Sequence, residues 1–472
     1  MINKYDGYLK TEYLTGTAFV ILALVLGMSI TEFSTKAVIF LIVAIAGAGI
    51  SAYKPTIPLF LFFGLLPMQL VTVLPSQSLT KFIGIYLVGL IVMQSALTKK
   101  ISLPFSSKSL WIVIYVFIAI CSLSISDDIS VSKKYLITLI FLIIMYFLLY
   151  SMIKHAKTLN WAVLSLMLGG VLSIIFNFAL GIGGIRSSYS IGGFRRSGLV
   201  GDPNNFAAIM LVMLPISFLI FLRAKSFLTK TLTLGFFAIL LIGFFNTYSR
   251  GGFLAFSVMG MVGIFKFNML EKRSNKVKTL VYIILIAIMG IVIFYPMSQT
   301  YLERVETLQS LGSADQDSSL RNRFEYLKKG LNVFLDNPIL GVGLRNFKSL
   351  NESGQVVHNM YLEVLTGLGL LGFIPFMAIL YLTWRDLVRV QMYWKIRDEE
   401  SSFVYQLAIA LQLGFLGYLV AALFLSLDNR PMTWLLITLS SVLWGISSKK
   451  EPIYRNEKSS AYANRYTALG RS

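Results

Sequence analysis

One long interval of the sequence is too polar to cross a membrane, and apolar segments flank it on both sides. Its centre reads Ser319-Leu-Arg-Asn-Arg-Phe-Glu-Tyr-Leu-Lys-Lys-Gly-Leu-Asn-Val-Phe-Leu-Asp-Asn-Pro-Ile-Leu-Gly-Val-Gly343. The interval runs from Tyr301 to Gly372 and contains Val357-His-Asn-Met-Tyr-Leu-Glu363, with one of the two histidines of the chain. We therefore expect a large loop between two groups of membrane helices.

The composition excludes a soluble globular protein. Of the 472 residues, 56% are hydrophobic and only 14% are charged. The apolar residues recur in runs near the ~20 residues that a helix needs to cross a hydrocarbon core of about 30 Å. A helix also satisfies its own backbone hydrogen bonds in lipid. We predict an all-α polytopic membrane protein with about fourteen transmembrane helices, and no fewer than twelve.

The apolar runs divide the chain into four parts. These are residues 1–297 with spans 1–11, residues 298–358 as one large external loop, residues 359–447 with spans 12–14, and a basic cytoplasmic tail at 448–472. The predicted spans are 14–30, 37–52, 57–74, 79–97, 110–126, 135–153, 159–181, 205–222, 231–247, 252–267, 279–297, 359–383, 403–426 and 431–447. We expect the first to be a retained span, since no Ala-x-Ala-like cleavage site is visible. We expect Pro67 and Pro215 to kink their helices rather than end them.

Lysine and arginine orient the spans, because cytoplasmic loops are enriched in them. The bias predicts that both ends of the chain are cytoplasmic, with Lys108, Arg385 and Arg389 among the inside loop residues. Arginines that this orientation places outside cluster in the loop 182–204, the turn 247–252 and the long loop. An anionic ligand at the outer face would explain the clustering. The alternative is that the rule constrains long external loops only weakly.

The long loop is predicted to contain an amphipathic helix lying over the protein or on the bilayer surface. Its apolar stripe has helical spacing and consists of Leu320, Phe324, Leu327, Leu331 and Phe334. Arg323 falls on the edge of this stripe and Arg321 on its other side, so Arg323 is better placed to point into whatever the helix covers. Asn337-Pro338 ends the helix. Gly341 and Gly343 then form a tight turn where backbone could approach a ligand.

His358 stands where the next span begins. The partial positive charge of a helix N-terminus disfavours imidazolium and keeps the ring neutral. A neutral imidazole can accept a proton from an attacking hydroxyl or hydrogen-bond to it. The alternative is a capping or interfacial histidine without chemistry. His155, on the cytoplasmic side, is interpreted as a solvated loop residue.

Two further segments place arginine next to predicted spans. Phe194-Arg195-Arg196-Ser-Gly-Leu-Val-Gly-Asp202-Pro-Asn204 precedes one span, and Asp202 or Asn204 can cap its helix. Arg250 lies at the turn between two spans, where charge is costly and is usually functional or paired. The planar guanidinium forms parallel bonds to phosphate, which favours a phosphate ligand.

The sequence predicts neither a metal site nor a cofactor. Cys121 is the only cysteine, and no second external histidine accompanies His358. The net charge of +20 is spread over many short loops rather than one face, which argues against nucleic acid as a partner.

At these motifs the chain resembles the O-antigen ligase and Wzy-type polymerase superfamily, over roughly residues 185–440. The matching pieces are Arg195–Asn204, Ser249-Arg250-Gly-Gly, Arg323 with Pro338 and Gly341-Val-Gly343, and His358-Asn-Met-Tyr-Leu. Two positions depart from the family pattern. Gly367 stands where an acidic residue is common, and Leu327 stands where an aromatic is common.

The resemblance implies a metal-independent, inverting glycosyltransferase of O-antigen, capsule or exopolysaccharide assembly at the outer face of the bacterial inner membrane. The implied donor is a glycan on undecaprenyl diphosphate, and the acceptor is a glycan or a lipid. Arg195 or Arg196, Arg250 and Arg323 would bind the diphosphate, and His358 would activate the acceptor hydroxyl. The residues expected to support them are Arg321, Asn359, Tyr361, Gly341, Gly343, Asp202 and Asn204.

Three functions stay open at the level of sequence. We favour a polymerase, which extends a lipid-linked repeat unit; a ligase would transfer the glycan to a lipid core or another acceptor. A polysaccharide transporter or flippase without chemistry is the third. Loss of His358 discriminates, because a transporter should tolerate it. Membrane lipids, a chain-length regulator and a flippase are candidate partners.

Overall fold

The computed structural model describes residues 56–74, 77–98, 105–179, 181, 185–187, 194–270 and 318–448. Thirteen α-helices lie in these ranges, so the described part of the chain is all-α, as predicted. In chain order they are α1 (Thr56–Leu65), α2 (Leu79–Thr98), α3 (Ser107–Cys121), α4 (Ile129–Met152), α5 (Ala156–Ala179), α6 (Pro203–Arg223), α7 (Phe227–Phe245), α8 (Arg250–Leu270), α9 (Ser318–Asp336), α10 (Phe347–Leu350), α11 (Met360–Ile396), α12 (Phe403–Ala421) and α13 (Pro431–Ser448). Two short antiparallel hairpins pair β1 (Thr72–Leu74) with β2 (Gln77–Ser78), and β3 (Ile185–Ser187) with β4 (Phe194–Arg196).

Eight of these helices are long and apolar enough to cross a membrane, namely α3 with the turn that follows it, α4, α5, α6, α7, α11, α12 and α13. Each coincides with a predicted span, which confirms a multi-pass membrane protein. Three more predicted spans coincide with shorter apolar helical stretches, at Thr56–Leu65, Leu79–Leu90 and Arg250–Ile264. The predicted spans 14–30, 37–52 and 279–297 and the tail after Ser448 lie outside the described residues.

The predicted span 57–74 is wrong in length. α1 ends at Leu65, and the chain then turns before β1 begins at Thr72. Proline disfavours helical backbone at the residue before it and lacks an amide hydrogen. Pro67 therefore ends this helix instead of kinking it, whereas Pro215 lies inside α6, where the helix continues as predicted.

α6 lies at the centre of the bundle, and sixteen of its 21 residues are buried. Asp202 caps its start by accepting a hydrogen bond from the Asn205 amide at 2.8 Å, and Pro203 occupies the first turn, where no amide hydrogen is needed. α12 packs closely against it, because a Cβ on Gly414 would lie 2.9 Å from the Val212 Cα. The cap fixes the segment that carries Arg195 and Asn204 at one end of this rigid helix.

α11 is broken at Gly369, where φ is 59° and ψ is −164°. The end of the large loop fills the break with residues 338–343, which pair with the interrupted helix backbone. The bonds run from Val342 N–H to Thr366 O (3.0 Å), Gly343 N–H to Gly367 O (2.9 Å), Leu370 N–H to Pro338 O (2.8 Å) and Leu371 N–H to Ile339 O (3.2 Å). The predicted span 359–383 is therefore present but interrupted at Gly369, because the loop supplies backbone partners that let the helix open.

Beyond the break, α11 continues to Ile396, which gives about 40 Å of helix at 1.5 Å per residue. The basic residues Arg385 and Arg389, predicted in an inside loop, lie on this helix. The predicted span ends at residue 383, where the apolar stretch ends, whereas the helix itself continues to Ile396. Arg385 and Arg389 thus project from a helix next to Asp386, at 3.6 and 4.0 Å from its Oδ1 atom.

A buried ion pair, the Lys108 pair (Lys108 with Asp386), joins α3 to α11. The Nζ atom of Lys108 lies 2.9 Å from Asp386 Oδ2 and donates to the Ser440 hydroxyl of α13 at 2.6 Å. Both side chains are buried. The prediction that Lys108 is a loop residue is therefore wrong: desolvation of its ammonium is offset by a partner that sequence spacing did not reveal.

α9 is strongly amphipathic, as predicted, but it presents a different face to the protein. Tyr326 and Gly330 are buried; a Cβ on Gly330 would lie 3.2 Å from Val357 and Leu362 side-chain atoms. Of the predicted stripe, Leu327 and Phe334 are partly buried, whereas Phe324 and Leu331 are exposed. The buried face lies roughly 100° around the helix from the stripe, at 100° per residue. Gly330 allows a close approach on this face, since a Cβ there would press on the Val357 and Leu362 side chains.

Candidate functional site

His358 has a left-handed backbone, with φ of 59°. This conformation is uncommon for a residue other than glycine and costs on the order of 1–2 kcal/mol. The cap of α11 is the next residue, Asn359, whose side-chain oxygen accepts from the amides of Tyr361 and Leu362 at 3.0 Å each. Because Asn359 caps the helix, the alternative role of His358 as the cap does not apply.

Burial and neighbouring charge keep the imidazole of His358 neutral. The pKa of His358 is lowered from 6.5 to about 4, first by burial and then by the positive charge of Arg323; Asp202 opposes the shift. The expectation of a neutral ring agrees with this, but the main cause is desolvation. The ring of Tyr326 faces the imidazole, with centroids 6.3 Å apart and planes inclined by 29°. α9 therefore brings both an aromatic ring and an arginine to His358.

Three buried charged residues, the Arg345 cluster (Arg345, Glu363 and Asp428), lie behind His358. The Glu363 carboxylate accepts from the amide of Val357 at 3.0 Å and from the Ser426 hydroxyl at 2.7 Å. Arg345 donates to Asp428 Oδ1 at 2.6 Å and lies 3.6 Å from Glu363. None of the three is more than 5% exposed. The residue before His358 is thus held by a buried carboxylate.

The two carboxylates of the cluster keep the Arg345 guanidinium protonated. Burial lowers the pKa of Arg345, but the carboxylates of Asp428 and Glu363 raise it above its ordinary value. Arg345 also has a positive φ, of 61°, and its guanidinium lies over the ring of Tyr135 at 5.4 Å. Two strained residues, Arg345 and His358, therefore share one carboxylate partner, Glu363, which reaches Arg345 directly and His358 through the preceding amide.

β4 places the two adjacent arginines on different partners. Arg195 donates to the Thr247 carbonyl at 2.9 Å and to the Asn204 side chain at 2.8 Å. Arg196 donates to the Asn177 carbonyl at 3.0 Å and lies 4.5 Å from the centre of the Phe178 ring. Arg195 thus connects two predicted motifs, whereas Arg196 is directed to α5.

Arg250 opens α8 directly after the turn that Arg195 contacts. The next residue, Gly251, packs on Phe424, from which a Cβ would be 3.0 Å away. The neighbouring carbonyl of Leu423 accepts from the Asn359 side chain at 3.1 Å. The connection between α12 and α13 therefore lies between the Arg250 turn and the start of α11, and the motifs converge at one end of the bundle.

The remaining predicted residues have structural partners or fall outside the description. The hydroxyl of Tyr361 donates to the Leu419 carbonyl at 3.0 Å, which ties α11 to α12. Gly341 and Gly343 have φ of 69° and 102°, and a Cβ on either would lie under 3.0 Å from the atoms it meets, Gly367 backbone and Ser126. These contacts account for both glycines without a ligand. The backbone of Arg321 lies in α9; its side chain lies outside the described residues.

Sequence reasoning missed the Arg345 cluster and Tyr326. Glu363 was visible as an acidic residue one turn into a predicted span, and Asp428 as one in a short connection between two spans. A charge at that depth requires a partner, and this rule could have linked them. The departure at Leu327 is resolved by Tyr326, one residue earlier, which supplies the aromatic ring. The departure at Gly367 reflects its contact with Gly343, whose carbonyl oxygen a Cβ would meet at 3.2 Å.

This arrangement can bind an anion and handle a proton. Arg195, Arg250 and Arg323 lie in the segments that converge beside a neutral imidazole, and arginine binds phosphate oxygens through two parallel bonds. Among the described residues, no three His, Cys, Asp or Glu side chains form a group that could hold a metal ion.

Comparison with family models gives a match. The model of the family described as O-antigen ligase matches residues 235–377, a range that contains Arg250, Arg323 and His358 but not the Arg195 segment. No curated protein matches the chain. The match supports a role of ligase or polymerase type in polysaccharide assembly and a glycosyl-transferring activity. The resemblance inferred from the motifs is thereby confirmed, since residues 235–377 of this multi-pass membrane protein match the O-antigen ligase family.

Proposed function

We propose that this protein transfers a glycan from a polyprenyl diphosphate carrier, undecaprenyl diphosphate, to an acceptor hydroxyl at the outer face of the bacterial plasma membrane, as a Wzy-type polymerase. The supporting observation is His358: a neutral, largely buried imidazole beside Arg323, inside the matched domain. An acceptor hydroxyl needs a proton acceptor, and a lipid diphosphate needs cationic partners.

In the proposed reaction, the acceptor oxygen attacks the anomeric carbon and the bond to the diphosphate oxygen breaks, with inversion. The hydroxyl proton passes to His358, and the diphosphate leaves with the bonding electron pair. Arg195, Arg250 and Arg323 stabilise its negative charge. The three proposed guanidinium groups would balance the charge of a dianionic to trianionic leaving group without a metal ion.

The low pKa of His358 fits this order of events. At a pKa of about 4 the free imidazole is neutral but a weak base. A bound diphosphate would offset the charge of Arg323 and raise the pKa of His358. The histidine would thus become a stronger base only when the donor is present.

Of the two adjacent arginines, Arg195 is the proposed ligand. It contacts Asn204 and Thr247, which belong to two of the converging motifs, whereas Arg196 is engaged with α5. Replacement of an arginine that stabilises the transition state typically costs about 3 kcal/mol, or roughly 100-fold in rate. Arg195→Gln should show such a loss, and Arg196→Gln should not.

The test supplies purified protein in nanodiscs with undecaprenyl-diphosphate oligosaccharide of the native host, with and without a lipid acceptor. Wild type is compared with His358→Ala, and Arg195→Gln with Arg196→Gln. A ladder of longer lipid-linked glycans that His358→Ala loses supports the polymerase. A single transfer that requires the added acceptor indicates the ligase. Folded wild-type protein that forms no product under these conditions points to transport without chemistry.

A further inference from the structure

The exposed surface of α9 has two unlike sides. Residues of the first are large and apolar, and their exposed fractions are high: Phe324 (63%), Leu331 (48%) and Leu335 (62%). Residues of the second are polar and exposed as well: Glu325, Lys328, Lys329, Asn332 and Asp336. At 100° per residue the apolar side spans about 40° and separates the polar side from the face packed on the protein.

The apolar side continues beyond α9. Ile339 (62% exposed) and Leu340 (47%) follow it in the chain. The break in α11 then joins this segment to Leu370 and Leu371, because Leu370 donates to the Pro338 carbonyl and Leu371 to the Ile339 carbonyl. Leu370 (42%) and Leu371 (45%) are exposed too, and Ile374 (55%) extends the surface along the span. The result is one apolar surface that runs from α9 onto a membrane-spanning helix.

A surface of this kind needs a neighbour, since large contiguous apolar patches mark interaction sites. A soluble partner could cover α9, but it could not follow the same surface along α11 into the bilayer. Lipid acyl chains can cover both parts. Helices that lie in the membrane interface combine an apolar side with a polar side rich in lysine, and Lys328 and Lys329 lie on the polar side of α9.

We propose that α9 lies in the membrane interface at the end of the bilayer where α11 begins. Phe324, Leu331, Leu335, Ile339 and Leu340 contact lipid acyl chains, and the polar side faces headgroups and water. α9 therefore has three neighbours: protein, lipid and water. The rotation of α9 away from the predicted stripe follows from this, because its apolar residues serve two contacts.

One consequence rests on the proposed function. Arg323 lies on α9 at the border of its protein-facing side and near His358. A helix seated in the interface holds this guanidinium at the depth of a lipid-linked diphosphate. The lipid contact itself does not depend on that function, and it can be tested without an activity assay.

The experiment uses spin labels on the full-length protein in nanodiscs. Cys121, the only cysteine, is exposed and is first replaced by serine. Single cysteines at Phe324, Leu331 and Leu335 are compared with matched exposed controls at Lys328 and Asn332. Collision rates are measured with oxygen, which partitions into lipid, and with a polar nickel chelate, which stays in water.

We expect high oxygen and low nickel accessibility at the three apolar positions, with the reverse at the two controls. High nickel accessibility at the apolar positions would show that this side faces water and overturn the proposal. Low accessibility to both reagents there would show that protein, such as a second copy, covers it, and would overturn it as well. All five positions are exposed. Leu335→Trp in brominated lipid provides a second measurement: the fluorescence that it adds to that of the six native tryptophans, taken as the difference from the parent protein, should be quenched.

Discussion

The two ends of α11 both carry buried charged side chains. At one end these contact only other side chains, and at the other they also bind the backbone. At one end the single carboxylate of the Lys108 pair lies near three cations, because Arg385 and Arg389 are also within 4.0 Å of it. The pair joins α11 to α3 and α13 through side chains alone. At the other end the Arg345 cluster sets one cation against two carboxylates. One of these, Glu363, accepts the backbone amide of the residue before His358.

This difference separates charge that joins helices from charge that fixes a backbone. A buried ion pair is by itself weak evidence for stability, because desolvation can exceed the attraction between the partners. A carboxylate that holds a strained residue in place has a second role, since unusual backbone persists only where its surroundings enforce it. We therefore expect the Lys108 pair to act on stability and the Arg345 cluster to act on both stability and turnover.

The largest effect is expected for Arg345→Gln. Removing one partner of a buried pair costs roughly 3–5 kcal/mol, and here two carboxylates lose their cation. Lys108→Gln should cost less, because Arg385 and Arg389 lie within 4.0 Å of the Asp386 carboxylate. Thermal unfolding in detergent measures both. Adding Asp428→Asn to Arg345→Gln should recover part of the loss. If Lys108→Gln proves the more damaging change, the two ends do not differ in the way proposed.

The second effect concerns catalysis. Glu363→Ala leaves the Val357 amide without its acceptor, which releases the backbone at His358. We expect turnover to fall by about 10- to 100-fold, equivalent to about 1–3 kcal/mol, with a nearly unchanged KM. The measurement is the glycan-transfer assay per folded protein, and Asp386→Ala is the matched control at the other end of α11.

A double-mutant cycle separates this role from general destabilisation. If Glu363 acts through His358, Glu363→Ala should cause no further loss of turnover in a His358→Ala background. An equal loss in both backgrounds would show that the carboxylate acts elsewhere.

The pH dependence gives a third, smaller effect. The pKa of His358 is about 4, below its ordinary 6.5. The value of kcat/KM should therefore stay constant well below pH 6.5 and fall only near pH 4. Arg323→Gln removes one cause of the depression and should move this limb to higher pH. If the proposed diphosphate binds and raises the pKa of His358, the limb of kcat should lie above that of kcat/KM. Identical limbs for wild type and Arg323→Gln would contradict the effect of the Arg323 charge on the pKa of His358.

The same shift has a consequence for stability. A group whose folded-state pKa is lowered contributes stability that is complete above its unfolded pKa and is lost as pH falls. For His358 the window runs from 6.5 down to about 4. His358→Gln should remove this part of the acid destabilisation, measured as the unfolding midpoint against pH.

The sequence predicted features that depend on local pattern. The Asp202 cap, the end of α9 before Pro338 and most spans follow from residue types and spacing alone, and they are found in the structure. The gathering of Arg195, Arg250 and Arg323 toward His358 was expected from order along the chain and from a shared external side. The structure connects the segments of Arg195 and Arg250 to the start of α11 and places Arg323 where its charge acts on His358. The roles assigned to these residues remain predictions.

The sequence could not predict features that depend on pairing between distant segments. Gly369 opens α11 only because residues 338–343 supply backbone partners, and neither segment shows this alone. Lys108 is buried because Asp386, far away in the sequence, lies opposite it. The neighbouring contact between Arg385 and Ser107 likewise joins residues 278 positions apart. Pro67 ended a helix where Pro215 did not, although both prolines lie in apolar runs of the sequence.

The smallest effect is expected when the Lys108 pair is replaced as a unit. Lys108→Met with Asp386→Leu removes both charges together, and such replacements by apolar residues of similar volume are often neutral or stabilising by roughly 1–4 kcal/mol. Turnover should stay unchanged, because the pair contacts no residue of the candidate site. The analogous triple change Arg345→Met, Glu363→Leu and Asp428→Leu cannot preserve turnover, since no apolar side chain accepts the Val357 amide. Unfolding midpoints and transfer rates of the two variants are measured side by side. Equal retention of activity would mean that the left-handed backbone of His358 needs no buried acceptor, and the distinction between the two ends of α11 would then rest on charge count alone.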